Sequence, residues 1–189
     1  MRIISGSKKG HSILGYRNKE IRPLTDKNRE TIFNILIHGK EIASTEFEIT
    51  NANVLDLFAG TGSFSFEALS RGASKATMVE NNSLMIDFIY KNAEKLKFKD
   101  QITICDENAC SFSAHSSSPK FDLVYCDPPY EKKLGIRSVK NLLKKNLLKK
   151  NSLIILEEEL KSKSINTPDL ELLRIKKIGI TKFSFFKLL

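Results

Sequence analysis

Short apolar segments that alternate with helix-like segments constrain the fold of this chain more than any other feature. Strands are predicted at 53–58, 75–80, 101–105, 121–126 and 152–157, and helices near 63–71, 83–97 and 134–149. Two further strands, 170–177 and 181–188, are separated by Gly179 and Ile180. Because short apolar strands alternating with helices are typical of parallel sheets covered on both faces, the sequence predicts an α/β fold.

The N-terminal part of the chain is organised differently. Residues 1–24 are predicted to form an extended, hairpin-like arm, because three glycines interrupt them. Residues 25–40 are predicted as the first helix, with Thr25 or Asp26 as its cap. Residues 51–189 would then form the core, and the length of 189 residues is consistent with a single domain.

A glycine-rich turn follows the first predicted strand, in the run Asp56-Leu57-Phe58-Ala59-Gly60-Thr61-Gly62. Glycines allow positive φ and close approach of a ligand, and the helix that follows offers free N–H groups to a carboxylate. The spacing is not the G-x-G-x-x-G of dinucleotide sites. Asp56 would repel a pyrophosphate there and suits a ligand with an ammonium group. Glu80 ends the next strand, at the distance of roughly 20 residues expected for an acid that binds ribose hydroxyls.

The tetrapeptide Asp127-Pro128-Pro129-Tyr130 closes the apolar run 121–126. Two prolines fix φ and remove two backbone donors, so the corner is rigid and rich in acceptors. The Asp127 carboxylate and a proline carbonyl can each accept one N–H of an exocyclic amine, while Tyr130 can stack on the ring that carries the amine. This arrangement suits a nucleobase as methyl acceptor.

With these motifs in this order, the chain resembles the RsmD-type enzymes, which belong to the class I S-adenosylmethionine-dependent methyltransferases. The resemblance extends over nearly the whole chain and includes Met1 to Gly6, Arg22 to Glu30, the glycine turn, Glu67 to Ala73, Glu80, Phe121 to Tyr130 and Gly179 to Phe185. It implies methylation of the exocyclic N2 amine of a guanine in bacterial 16S rRNA. The implied fold is Rossmann-like: a seven-stranded, mostly parallel sheet with helices on both faces and a C-terminal antiparallel hairpin.

The resemblance also implies roles for individual residues. Those expected to bind S-adenosylmethionine are Asp56, Phe58, Ala59, Gly60, Thr61, Gly62, Glu80, Asn81, Asp106, Asn108 and Asp127. The acid or amide that contacts adenine falls on either Asp106 or Asn108. The four residues of the tetrapeptide, Asp127, Pro128, Pro129 and Tyr130, are expected to be catalytic.

The net charge of +9 and the isoelectric point near 9.4 suggest a polyanionic partner. Basic residues are concentrated in the first thirty positions, and the predicted contacts with 16S rRNA or a small-subunit assembly intermediate are Lys8, Lys9, Arg17, Arg22, Thr25 and Arg29. A structural alternative is that Arg22 and Arg29 brace the first helix against the sheet. The lysines at 144–150 are interpreted as the solvated face of an amphipathic helix.

Other classes of protein fit the sequence less well. Three cysteines without C-x-x-C spacing and three scattered histidines favour reduced core thiols and give no support to a metal site. Short apolar runs and the lack of an apolar N-terminal region favour a cytoplasmic protein, expected to be a monomer. The alternatives are an adenine-N6 DNA or RNA methyltransferase, a glutamine methyltransferase, which prefers Asn in place of Asp127, and a non-catalytic RNA-binding protein on the same fold.

Overall fold

A computed structural model describes residues 1–15, 24–114, 119–129, 133–162 and 165–189. The helices are α1 (Asp26–His38), α2 (Lys40–Ala43), α3 (Ser63–Ser70), α4 (Ser83–Leu96) and α5 (Leu134–Lys144), with one 3-10 turn at Lys99–Gln101. The strands are β1 (Asn53–Leu57), β2 (Lys75–Glu80), β3 (Ile102–Asp106), β4 (Phe121–Cys126), β5 (Leu148–Glu159), β6 (Leu170–Ile178) and β7 (Thr181–Leu188). No helix in these ranges is long and apolar enough to cross a membrane.

The strands form one sheet in the order β3-β2-β1-β4-β5-β7-β6. Strands β1 to β5 are parallel to one another, whereas β7 is antiparallel to both β5 and β6. The chain leaves β1 toward β3 and returns to the other side of β1 as β4. Open α/β sheets bind ligands at such a reversal, beyond the carboxyl ends of the strands.

Helices cover both faces of the sheet. Apolar residues of α1, α3 and α4 pack on one face, together with Ile3 and Ile13 of the N-terminal segment. Residues of α5, Ala109 and Phe112 pack on the other face. All five residues of β1 are buried, because this strand lies inside the sheet under both layers. The predicted α/β fold with a C-terminal antiparallel hairpin is confirmed.

The N-terminal segment is a hairpin attached to α3 and α4. Arg2 pairs with Ser12 in an antiparallel bridge, and the Ile3 N–H donates to the His11 carbonyl over 2.9 Å. Glu67 of α3 accepts the N–H groups of Ile4 and Ser5 over 2.8 and 3.0 Å. The hairpin is therefore fixed to the domain by hydrogen bonds to a buried carboxylate.

The boundaries of two predicted elements were wrong. The helix predicted at 134–149 ends at Lys144, because Asn146 has a φ of 52° and the Leu147 N–H bonds back to the Leu142 carbonyl. Leu148 is buried in β5, where it pairs with Phe121 of β4. The strand predicted at 152–157 consequently runs from Leu148 to Glu159.

The first helix also differs slightly from its prediction. It begins at Asp26, because Thr25 is its cap and accepts the Asn28 N–H over 3.2 Å. It ends at His38, and Gly39 separates it from the short helix α2, which was not predicted.

Candidate active site

Four acidic side chains are located at the carboxyl ends of four adjacent strands. Asp56 is the penultimate residue of β1, Glu80 and Asp106 end β2 and β3, and Asp127 follows β4. The strand register pairs Glu80 with Asp106 and places Asp127 beside Phe58, because Leu57 pairs with Cys126. The four residues therefore border the same edge of the sheet, at the reversal of strand order.

The glycine turn between β1 and α3 contains three residues with positive φ, two of which are glycines. Phe58, Gly60 and Gly62 have φ values of 63°, 55° and 76°. A Cβ atom on Gly62 would approach Phe66 to 2.7 Å, whereas one on Gly60 would meet no atom within 4 Å. Position 62 must therefore be glycine for Phe66 to pack against it, whereas Gly60 faces open space. The cap residue of α3 is Gly62, which has no side chain to cap the helix, so the N–H groups at the start of α3 are not bonded by a cap side chain.

Asp56 is buried below the turn, with 1% of its surface exposed. Its carboxylate accepts the hydroxyl of Ser65 over 2.7 Å. Burial raises the pKa of Asp56 to about 7, while Ser65 opposes the shift. A carboxyl group held near its midpoint at neutral pH can be ionised by a cationic ligand.

Glu80 connects the second strand to the glycine turn. Its carboxylate accepts the Gly60 N–H over 2.8 Å, and the N–H groups of Asn81 and Asn82 over 2.9 and 3.0 Å. Carboxylate oxygens have about four acceptor sites in total, so one remains for a ligand hydroxyl. The three backbone donors fix the orientation of the group, as a ribose-binding acid would need.

Asp127 lies between other carboxyl groups. Loss of hydration raises the pKa of Asp127 well above its usual range, and Glu157 and Asp56 raise it further. Pro128 is buried, and a Cβ on Gly135 of α5 would come within 3.1 Å of its ring. The first turn of α5 thus packs against the tetrapeptide and supports its rigid corner.

The sequence reasoning missed Glu157, which is only 7% exposed. The strand register places it next to Asp127, because Cys126 pairs with Leu156. The hydroxyl of Tyr125 donates to Glu157 over 2.5 Å. A signal was present in the sequence: Glu157 ends the apolar run of its strand in the same way as Glu80 ends its own.

Asn92 was also missed. This residue of α4 is fully buried, and its amide donates to the carbonyls of Thr61 and Leu14 over 3.2 and 3.0 Å. It therefore joins the glycine turn to the N-terminal hairpin. A polar residue within the apolar stripe of a predicted helix was the available signal.

Some predicted site residues remain predictions. Asp106 and Asn108 are both exposed, and the Asn108 side chain accepts the Cys110 N–H over 2.9 Å, so the adenine contact can still involve either residue. Pro129 is exposed beside the crevice. Tyr130 lies outside the described residues.

The predicted RNA-contacting residues separate into different groups. Lys9 and Thr25 are exposed, and Lys8 is partly exposed, with its ammonium 5.7 Å from the ring centre of Phe98. Arg17 and Arg22 lie outside the described residues. Direct contact of Arg29 with RNA was a wrong prediction, because its guanidinium is fully buried and paired with Asp26 over 2.9 Å. The bracing role considered as the alternative fits Arg29.

An antiparallel β7 lies between β5 and β6, and this strand order is that of the class I methyltransferase fold. The glycine turn and the start of the tetrapeptide lie at the edge of the sheet where this class binds its ligands. A solved structure of the Escherichia coli protein YhhF, assigned as a methyltransferase, matches with a TM-score of 0.82 at 28% identity and covers 100% of this chain and 97% of that one. A Haemophilus influenzae structure assigned as a methylase matches with a TM-score of 0.78 at 31% identity, covering 100% and 98%.

Sequence relatives agree with this class. The chain belongs to the family described as conserved hypothetical protein 95, the RsmD family, whose model matches residues 1–187. It is 33% identical over 190 residues to ribosomal RNA small subunit methyltransferase D of Haemophilus influenzae, covering 99% of this chain and 93% of that one. The Escherichia coli protein of the same name is 34% identical over 162 residues, covering 86% and 76%. The chain is therefore a methyltransferase, as the sequence predicted.

Proposed function

We propose that this protein, acting as one cytoplasmic catalytic domain, uses S-adenosylmethionine to methylate the N2 amine of a guanine in small-subunit rRNA. The observation that carries the proposal is the placement of the glycine turn, Glu80 and Asp127 at one sheet edge. The full-length similarity to two small-subunit rRNA methyltransferases supports the choice of substrate.

The residues at the crevice fit S-adenosylmethionine group by group. The N-terminus of α3, which lacks a cap side chain, suits the carboxylate of the methionine part, and Asp56 suits its ammonium group. Glu80 retains one acceptor site for a ribose hydroxyl. Asn81 and either Asp106 or Asn108 follow the ends of β2 and β3, where they would border the nucleoside.

When bound, the cofactor supplies a methyl group on a sulfonium that is already activated, so the chain needs no covalent intermediate. Its residues must hold the acceptor amine in line with the methyl group, and such positioning can contribute about 7–11 kcal/mol. Asp127 and the Pro128 carbonyl would accept the two N–H bonds of the amine and stabilise the positive charge that develops there. Tyr130 would stack on a base withdrawn from the RNA.

The carboxyl groups near Asp127 favour guanine over adenine. The Watson–Crick edge of guanine presents two adjacent donors, N1–H and N2–H, whereas adenine presents one donor beside the acceptor N1. Asp127 and Glu157 are neighbours in the β4–β5 register, and a carboxylate is an acceptor when it is ionised, a form that N–H donors of a bound base would favour at Asp127. An acceptor-rich crevice is therefore complementary to the guanine edge.

Mass spectrometry of nucleosides tests the proposal directly. The protein would be incubated with 16S rRNA transcript or with unmodified small subunits, and with S-adenosylmethionine labelled in its methyl group. We expect labelled N2-methylguanosine, and incorporation slowed by about 10²–10³-fold with Asp127→Asn. Labelled N6-methyladenosine would favour the adenine-specific alternative, and no incorporation into either substrate would refute the proposal.

A further inference from the structure

Four exposed cations form a line along the solvent-facing side of α5. They are Lys133, Arg137, Lys140 and Lys144. At roughly 100° per residue, the spacing of three and four residues places Arg137, Lys140 and Lys144 within an arc of about 60°, and Lys133 stands just before the helix as its N-cap, with a φ of 54°. The buried residues of α5 occupy the opposite side of the helix: Gly135, Ser138, Val139 and Leu142. We refer to the four cations as the α5 stripe.

The stripe begins next to the candidate active site. Gly135 lies in the first turn of α5, and a Cβ atom there would meet Pro128 of the tetrapeptide at 3.1 Å. From this contact α5 runs for 11 residues, which corresponds to about 16 Å. A molecule that lies along the stripe would therefore end beside Pro128 and Asp127.

A lysine-rich composition alone does not explain the stripe. In α4, Asp87 and Glu94 are interspersed with lysines, and in α1 both Asp26 and Glu30 accompany Lys27. The α5 sequence LGIRSVKNLLK contains no acid. The absence of acids is thus a property of this helix within a chain that elsewhere mixes its charges.

The stripe is locally unfavourable for the helix. Lys140 and Lys144 are like charges four residues apart within the helix, an arrangement that destabilises helices. Lys133 and Arg137 also stand at the positive end of the helix dipole. Among the ion pairs of the described residues, none involves a member of the stripe. Stability of the folded chain therefore does not account for these four cations.

A neighbouring lysine shows what a structural role looks like. Lys145 lies off the stripe, and its ammonium donates to the carbonyls of Ser111 and Phe112 over 2.8 and 2.9 Å.

Near the far end of the stripe, Asp169 lines a cavity of about 520 Å³ together with Lys140 and Lys144. Its carboxylate accepts the hydroxyl of Thr167 over 2.9 Å.

We propose that the α5 stripe binds the phosphates of the RNA strand that carries the acceptor base. This inference rests on the proposed function and specifies where the substrate lies. Exposed lysines and arginines contact phosphates without reading bases, so the stripe sets the position of the RNA, while the crevice selects the base.

The test is RNA affinity as a function of salt for the double variant Arg137→Gln/Lys140→Gln. The matched control is Lys40→Gln/Lys75→Gln, which removes the same charge from exposed positions on α2 and at the amino end of β2. The probe is a 16S rRNA transcript. Loss of two phosphate contacts should reduce the slope of log K against log salt by about 1.4–1.8, and the control should keep the slope of the wild type.

Two further measurements separate the possible outcomes. S-adenosylmethionine affinity of both variants should equal that of the wild type, and neither variant should unfold at a lower temperature, since all four positions are exposed and α5 loses like-charge repulsion in the stripe variant. If the wild type methylates rRNA and both variants share its slope, the stripe proposal is overturned while the proposed function stands. If the wild type neither binds nor methylates rRNA, both proposals are overturned. If the stripe variant unfolds early, Lys140→Gln/Lys144→Gln replaces it in the same comparison.

Discussion

The substitution Glu67→Gln should destabilise the protein strongly. Glu67 is fully buried in α3 and accepts the N–H groups of Ile4 and Ser5 over 2.8 and 3.0 Å. It also accepts the Arg71 Nε–H over 2.7 Å and forms an ion pair with the Arg29 Nε at 3.6 Å. Glutamine has nearly the same volume, but its NH₂ group would face donors on one side of this cluster.

The magnitude follows from the burial of the charges. Removing one partner of a buried ion pair costs about 3–5 kcal/mol, because the other charge stays buried without compensation. Arg29 keeps Asp26 at 2.9 Å, so we expect the lower part of this range, about 3 kcal/mol. For a domain of this length each kcal/mol corresponds to about 2–4 °C, and the melting temperature should fall by roughly 6–12 °C.

Calorimetric melting and hydrogen exchange measure this effect. The amide protons of Ile4 and Ser5 should exchange faster in the variant, since both hydrogen bonds end on Glu67. Glu94→Gln is the matched control, because Glu94 pairs with Lys99 over 2.9 Å on the exposed surface, and such pairs contribute little. Equal melting temperatures for the two variants would refute the reasoning that Glu67 holds the hairpin.

Three further predictions concern the crevice. Glu80→Ala should weaken S-adenosylmethionine binding by about 1–3 kcal/mol in calorimetry, because a charged hydrogen-bond partner is lost; unchanged affinity would place the ribose elsewhere. Asp127→Asn should lower turnover by about 10²–10³-fold in single-turnover assays and leave cofactor affinity nearly unchanged, since its contact strengthens only in the transition state; normal turnover would exclude that role. Asp56 has its pKa raised to about 7, so its carboxyl group is protonated below that pH. Because it must lose this proton to bind an ammonium group, cofactor affinity should rise about tenfold per pH unit up to pH 7 and then level off. A flat profile from pH 5 to 8 in the wild type would show that Asp56 does not contact the ligand.

The sequence alone determined the fold class and most of the crevice. The parallel strands β1 to β4 are short and largely apolar, and each ends in an acid or is followed within three residues by a glycine or an acid, so local composition reveals their existence and marks their carboxyl ends. Asp56, Glu80 and Asp127 could be recognised because polar residues that end buried strands have to lie at one sheet edge. The motif residues also indicated the family, which the full-length match confirms.

Only the tertiary structure decided the features that depend on partners distant in the sequence. Leu148 has the spacing of a helical residue, but its pairing with Phe121 in the sheet makes it part of β5. Arg29 belongs to the basic N-terminal cluster that predicted RNA contacts, yet ion pairs with Asp26 and Glu67 hold its side chain in the interior. Glu157 lies 30 positions after Asp127 in the chain and becomes its neighbour through the β4–β5 register. A charge is functional or structural according to its burial and its partners, and both quantities are set by the packing of the whole chain.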